Sequence, residues 1–332
     1  GLNAGAQLHW MLTVDPGLRD RIACILPYPQ YWSHRLTGVA ASDVTSLGCH
    51  TDLWEPRADR FSALVDRLGL AGRAAPPRRP ADVLGPILPE IADATGLPPS
   101  TPVSCGIHDS NASLLPHILG PAGPLSVVST GTWVVAMSIG GGDPLLDPNR
   151  DTLLNVDALG RAVPSARFMG GREFEIITGG RAHAVGAAEG RAVIARGLML
   201  LPAVEPATGP FRGRTMRWLP HEPAAGSDER LAALAFYLAL MTAECLHLTG
   251  GAGPIHVEGP FAHNRLYLDM LHAATGRPVF RSAAATGTGI GAALLCAGDR
   301  QPAVPSEPVP ASDATPSYAS YATHWHRALD RT

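Results

Sequence analysis

The chain carries no C-x-x-C pair, no apolar run long enough to cross a membrane, no stripe of basic residues, no G-x-S-x-G elbow and no internal repeat. Each absence removes a class of function. Five cysteines in 332 residues, Cys24, Cys49, Cys105, Cys245 and Cys296, are widely spaced and odd in number. Neither a disulfide framework nor a zinc site is expected from them, and a reducing cytoplasm suits them best. A formal net charge of -3, with arginines scattered singly, leaves no footprint for nucleic acid. No membrane partner is expected either. The opening GLNAGAQLHWMLTVDPG has the pattern of an amphipathic helix, not the charged and apolar regions of a signal peptide, and it does not begin with Met. Without the nucleophile elbow, a serine hydrolase of that type is excluded.

What is present is core. Hydrophobic residues make up 45% of the chain and charged residues 17%, enough for one large or two medium domains. The first hundred residues show mainly helical periodicity, with PPRRP (residues 76–80) as a loop. From VSCGI onward strands and helices alternate, which argues an α/β fold. The segment GPAGP, residues 120–124, is the best candidate domain boundary. ERLAALAFYLALMTAECLHLTG reads as a long buried helix and QPAVPSEPVPASDATPS as a linker. The terminal YASYATHWHRALD reads as a helix docking Tyr318, Tyr321 and Trp325 on the surface.

Three connections follow apolar strands and project chemistry from the strand end. GIHDS places Asp109 at the start of a helix, where an aspartate serves equally well as an N-cap. STGTW offers exposed amides and hydroxyls suited to phosphate, although an ordinary hairpin turn has the same composition. VEGPFAHN runs from a strand into a helix whose N-terminus suits an anion, or is a plain strand-to-helix loop opened by Pro260. TGTGIGAA contains a loose dinucleotide fingerprint, Gly287-x-Gly289-x-x-Ala292, but no strand–helix–strand unit follows it, so close helix packing explains it better. His324 and His326 form an H-x-H pair with no third ligand, and no metal site is assigned.

The order of these segments resembles the FGGY family of carbohydrate kinases. The resemblance runs through GLNAGAQLHWMLTVDPGL, then ILPYPQYWSHRLTGVAASDVTSLGCHTDLWEP, GIHDSNA and LSVVSTGTW, and ends with IHVEGPFAHNRLYLDMLHAATGRPV and TGTGIGAALLCAG. It implies an actin-like ATPase (ribonuclease H-like) two-domain fold. Residues 1–120 would be the C-terminal part of a sugar-binding domain, and 121–332 a nucleotide-binding domain with a terminal helix. It further implies ATP with Mg²⁺ and a small sugar, a ketose or deoxyketose, as reactants. Asp109 takes the role of general base toward the sugar hydroxyl, and the flanking His108 is placed either to touch the sugar or to hydrogen-bond a neighbouring loop; separately from the resemblance, the polar stretch CHTDLW offers His50 and Asp52 as sugar contacts. Thr130, Gly131 and Thr132 would line the phosphates, and Gly259 and Asn264 the adenosine.

Two departures from the family pattern stand out. Pro260 replaces a small residue beside the adenosine, and nothing matches the family's opening Asp-x-Gly-Thr hairpin. The first domain is therefore expected to be incomplete by on the order of a hundred residues. Two other readings stay open at this point: a non-catalytic sugar- or nucleotide-binding relative, and an NAD-linked oxidoreductase using TGTGIGAA. Self-association into a homo-oligomer is also open.

Overall fold

The computed structural model describes residues 3–120, 123–282, 287–298 and 306–330. The chain forms two compact units. One comprises residues 1–120, 154–163 and 286–303, and the other 121–153, 164–285 and 304–332. A linear division at residue 120 thus misses two later segments, which are grouped with the first unit.

In the first unit, α1 (Ala4–Val14) starts at Asn3, whose side-chain oxygen accepts the amide hydrogen of Ala6. After α2 (Leu18–Arg21) and α3 (Tyr28–Thr37), α4 (Val44–His50) is capped by Asp43. The Asp43 carboxylate accepts the amide hydrogens of Thr45 and Ser46 at 3.1 and 2.9 Å, satisfying two of the helix's open donors. Leu12, Val44, Leu47, Val65, Leu68 and Leu70 form the core here. α5 (Ala63–Arg67) and α6 (Pro89–Thr95) precede α7 (Asp109–Ile118), which buries residues 111–117. The 76–80 segment, expected to be a loop, contributes a short parallel strand: Pro77–Arg78 pairs with Ser42–Asp43. Proline lacks only the donor, and the ladder uses what it keeps, since the Ser42 amide donates to the Pro76 carbonyl at 2.9 Å.

The main sheet of the chain has seven strands, most of whose residues belong to the second unit. Its strands are β1 (Leu125–Thr130), β2 (Val134–Ile139), β3 (Thr152–Val156), β4 (Ala162–Phe168), β5 (Ile255–Glu258), β6 (Val279–Ser282) and β7 (Ser306–Pro308), in the order β7-β6-β5-β1-β2-β4-β3. β1, β5 and β6 run parallel, whereas β2, β4 and β7 are laid antiparallel to their partners. Between β4 and β6 the chain forms α8 (Gly170–Thr178), α9 (Ala187–Ala195), α10 (Asp228–Leu248) and α11 (Arg265–Thr275). β7 lies in the segment read as a linker, where the edge of a sheet accommodates Pro308.

α10 is the core helix. Among the described residues it is the one helix long and apolar enough to cross a membrane, and 78% of its apolar window is buried in the structure. The expectation of no such run is corrected accordingly: its apolar residues face protein on all sides.

The 286–303 segment carries α12 (Gly287–Leu294), which packs on α7. A Cβ on Gly291 would lie 1.7 Å from the Ala112 carbonyl oxygen, and the Ser113 and Thr288 hydroxyls meet at 2.9 Å. Gly291 of TGTGIGAA serves helix–helix contact, so the dinucleotide reading has no support. The chain closes with α13 (Thr315–Leu329) in the second unit. Its Tyr318, Tyr321 and Trp325 are core residues, not surface ones. The Tyr321 hydroxyl donates to the Leu198 carbonyl at 2.8 Å and the Trp325 indole to that of Leu200 at 2.7 Å, which lets both bury their polar tips.

Gly291→Ala is expected to destabilise the chain by about 1–3 kcal/mol, the usual cost of forcing atoms into a filled contact. A urea midpoint equal to wild type would show that α7 and α12 are not in this contact.

Candidate functional site

β1 and β2 are joined by the turn Gly131–Thr132–Trp133, closed by the Gly131 amide donating to the Trp133 carbonyl at 2.9 Å. The preceding Thr130 is buried. Its hydroxyl donates to the Glu258 carbonyl at 2.5 Å and accepts from the Phe261 amide at 3.1 Å, tying the end of β1 to the end of β5. Gly259 sits in this knot with φ 80°, and a Cβ there would lie 1.9 Å from the Thr130 carbonyl oxygen. Only glycine fits. Pro260–His263 then forms a short 3₁₀ turn, and the Asn264 side-chain oxygen caps α11 by accepting from the Tyr267 amide at 3.2 Å.

The first turn of α8 comes against the same β1–β2 turn. A Cβ on Gly171 would be 2.2 Å from the Gly131 carbonyl oxygen, so two backbones touch where side chains would otherwise intervene. From this point a cavity of about 760 Å³ extends along α8. Gly131, Thr132 and Gly171 form one end, and Phe174, Glu175 and Thr178 form the wall. Residues 180–185 reach it past the helix C-terminus, while Pro260, Phe261, His263, Asn264, Arg265 and Leu231 line it from α10, α11 and the 3₁₀ turn. At about 1.5 Å per residue, the distance along α8 from Gly171 to Thr178 is on the order of 10 Å. The chain contains no lysine, so an anion at the glycine end would be met by amides, hydroxyls and the positive end of α8.

Glu173, on the same helix, turns into the core and is fully buried. One carboxylate oxygen accepts the Glu205 amide at 3.2 Å, and the Tyr237 hydroxyl lies beside it. Burial pushes its carboxyl up to about 7, and the charge of Glu205 adds to the shift.

In the first unit the structure changes the account of Asp109. The N-cap of α7 is His108, and Asp109 is the first helical residue. Its carboxylate is 76% exposed, 3.2 Å from the His108 ring, and accepts the Ser110 amide at 2.6 Å. Asp109 therefore caps nothing beyond its own neighbour, and its group faces solvent. The His108 amide donates to the Thr45 hydroxyl at 3.0 Å, which fixes the strand-to-helix connection to α4. Asp52 is exposed in the turn after α4, at φ 56°. The side chain of His50 lies outside the described residues.

Of the residues expected at the nucleotide, Gly131, Thr132 and Asn264 line the cavity. Thr130 and Gly259 stand behind it and hold its walls. Sequence reasoning missed the α8 wall and the 180–185 segment. The glycine pair 170–171, placed between a strand and a helix, was the available signal. Among the described residues no group of three or more His, Cys, Asp or Glu forms a cage for a metal ion.

The N-terminal domain model of the FGGY family of carbohydrate kinases matches residues 2–116, and the FGGY C-terminal domain model matches residues 122–305. The chain belongs to the FGGY family of carbohydrate kinases, and its fold is the actin-like ATPase α/β fold. It resembles the crystal structure of a carbohydrate kinase from Novosphingobium aromaticivorans at 36% identity and TM-score 0.87, covering 99% of this chain and 74% of that one. A xylulose kinase from Rhodospirillum rubrum shares the fold at TM-score 0.77 and 19% identity, over 99% of this chain and 71% of that one. L-fuculokinase of Haemophilus influenzae is 30% identical over 139 residues, which are 40% of this chain and only 28% of that protein.

The raised Glu173 carboxyl has a testable consequence. Folding favours its neutral form, so this group's contribution to stability is fully present below about 4.5, the unfolded value, and is lost as pH rises through about 7. Glu173→Gln keeps the neutral shape. The variant is expected to gain on wild type between pH 4.5 and 7 by at most on the order of 3 kcal/mol, read as melting temperature against pH. Parallel curves would show that Glu173 is not held neutral.

Proposed function

We propose that the protein transfers the γ-phosphoryl group of ATP to a hydroxyl of a small sugar, a ketose or deoxyketose, with Asp109 as general base. The observation that carries this reading is the cavity whose end is a backbone-to-backbone approach, Gly131 against Gly171, with space for phosphates and amides to meet them. Phosphoryl transfer asks a protein for positioning and charge stabilisation more than for covalent chemistry. The cavity holds the donor, with Gly131, Thr132 and Gly171 at its phosphates. The acceptor oxygen attacks the γ-phosphorus, its proton passes to the Asp109 carboxylate, and the bond from the γ-phosphorus to the ADP oxygen breaks. A Mg²⁺ bound with the nucleotide at the Gly131–Thr132 end would need few ligands from the chain and would supply neutralisation of the phosphate charge.

His108 touches the Asp109 carboxylate and orients it. Asp52 and His50 remain proposed sugar contacts. Five cysteines without a disulfide among them suit a reducing cytoplasm.

In the full gene product, Asp109→Asn is expected to lower kcat by roughly 10²–10⁴, the usual worth of a general base. Nucleotide affinity and melting temperature should stay near wild type, because the side chain is exposed and its backbone contacts persist. Turnover within a few-fold of wild type would remove Asp109 from the chemistry and favour a binding role.

A further inference from the structure

We propose that His183, held by Asp228, selects a 6-amino purine at the far end of the cavity. This rests on the reading of the cavity as the nucleotide site, and it assigns the element that reads the base.

The cavity lining mixes hydroxyl and glycine positions with apolar side chains. The glycine end suits phosphates. The opposite end, on the order of 10 Å away along α8, is the scale of a triphosphate and ribose and is reached by residues 182–185. Val185 and Leu231, neighbours in sequence of His183 and Asp228, offer apolar surface there, and Phe174 lines the wall between. Two imidazole rings line the cavity, His183 and His263, and His183 is the one whose Nε2 is held by a carboxylate.

His183 Nε2 lies 2.6 Å from the Asp228 carboxylate. A carboxylate only accepts, so Nε2 carries a proton, and whenever the ring carries no second proton Nδ1 keeps a lone pair. No hydrogen bond to Nδ1 is made among the described residues. Asp228 is itself fixed, as the first residue of α10 directly after its cap Ser227, where an acid is favoured by the helix dipole. The pair thus offers the cavity a lone acceptor of set identity. Adenine presents an amino donor at its 6-position, whereas a 6-oxo purine presents an acceptor and leaves both groups unpaired. Because His183 is 55% exposed, water softens the mismatch, and the discrimination expected is about 10-fold, not thousands.

The test is calorimetric binding of ADP and inosine diphosphate, which differ at the 6-position, to wild type, His183→Phe, Asp228→Asn and Gly171→Ala. Wild type should prefer ADP by about 10-fold. His183→Phe keeps a ring but no acceptor, and should bring the ratio close to one. Asp228→Asn can donate to Nε2, shift the ring proton to Nδ1, and turn the preference toward inosine diphosphate, a reversal that a purely structural role would not produce. Unchanged ratios in both variants would overturn the proposal, and if His183→Phe fails to fold, the Asp228→Asn ratio alone decides. Failure of the underlying reading looks different: wild type binds neither nucleotide, or Gly171→Ala binds ADP as well as wild type does.

Discussion

The second unit depends on one hydroxyl. Thr130 donates to the Glu258 carbonyl and accepts from the Phe261 amide, so the ends of two parallel strands and the start of a 3₁₀ turn share a single side chain. In a buried setting neither backbone group has water to fall back on, and leaving one unpaired costs on the order of 1–3 kcal/mol. Gly259 completes the knot by allowing the strands to approach without a Cβ between them. With those ends locked, the Gly131 carbonyl is presented to Gly171, α8 starts at a fixed point, and the cavity has a defined glycine end. Thr130 thus supports the cavity without lining it.

That division of labour explains what the sequence could and could not show. STGTW and VEGPFAHN were legible as strand ends because hydroxyls and glycine interrupt apolar runs there. Which hydroxyl faces inward was not legible: Thr130 and Thr132 differ by the two-residue step of a strand leaving its sheet, and only the sheet's register buries one and exposes the other. The α8 wall was missed because Phe174 and Glu175 are ordinary residues of an amphipathic helix. His183 lies in a loop with no periodicity to read. The terminal helix was placed on the surface because Tyr and Trp suit an interface. The carbonyls of Leu198 and Leu200 that pair their polar tips are more than a hundred residues away in sequence.

The first unit shows the opposite pattern. There, local chemistry was legible and its assignment shifted by one residue. Asp43, unremarked in the sequence, is the buried cap, taking two amides and two hydroxyls from Thr45 and Ser46. Asp109, a candidate cap, is exposed at the first helical position. Desolvation raises the Asp43 carboxyl even though its hydrogen bonds oppose the shift, a price accepted at a structural position. Asp109 neither caps its helix nor, among the described residues, pairs with a guanidinium, which suits the base role proposed for it. The Thr45 hydroxyl links the two, accepting the His108 amide while it donates to Asp43.

Amide hydrogen exchange with and without ADP tests whether the nucleotide sits in the cavity along α8. Slowed exchange is expected at residues 131–132, 170–178 and 260–265 on adding ADP, with the buried centre of α10 unchanged. Binding of ADP that leaves those segments exchanging as before, and protects others instead, would contradict that placement.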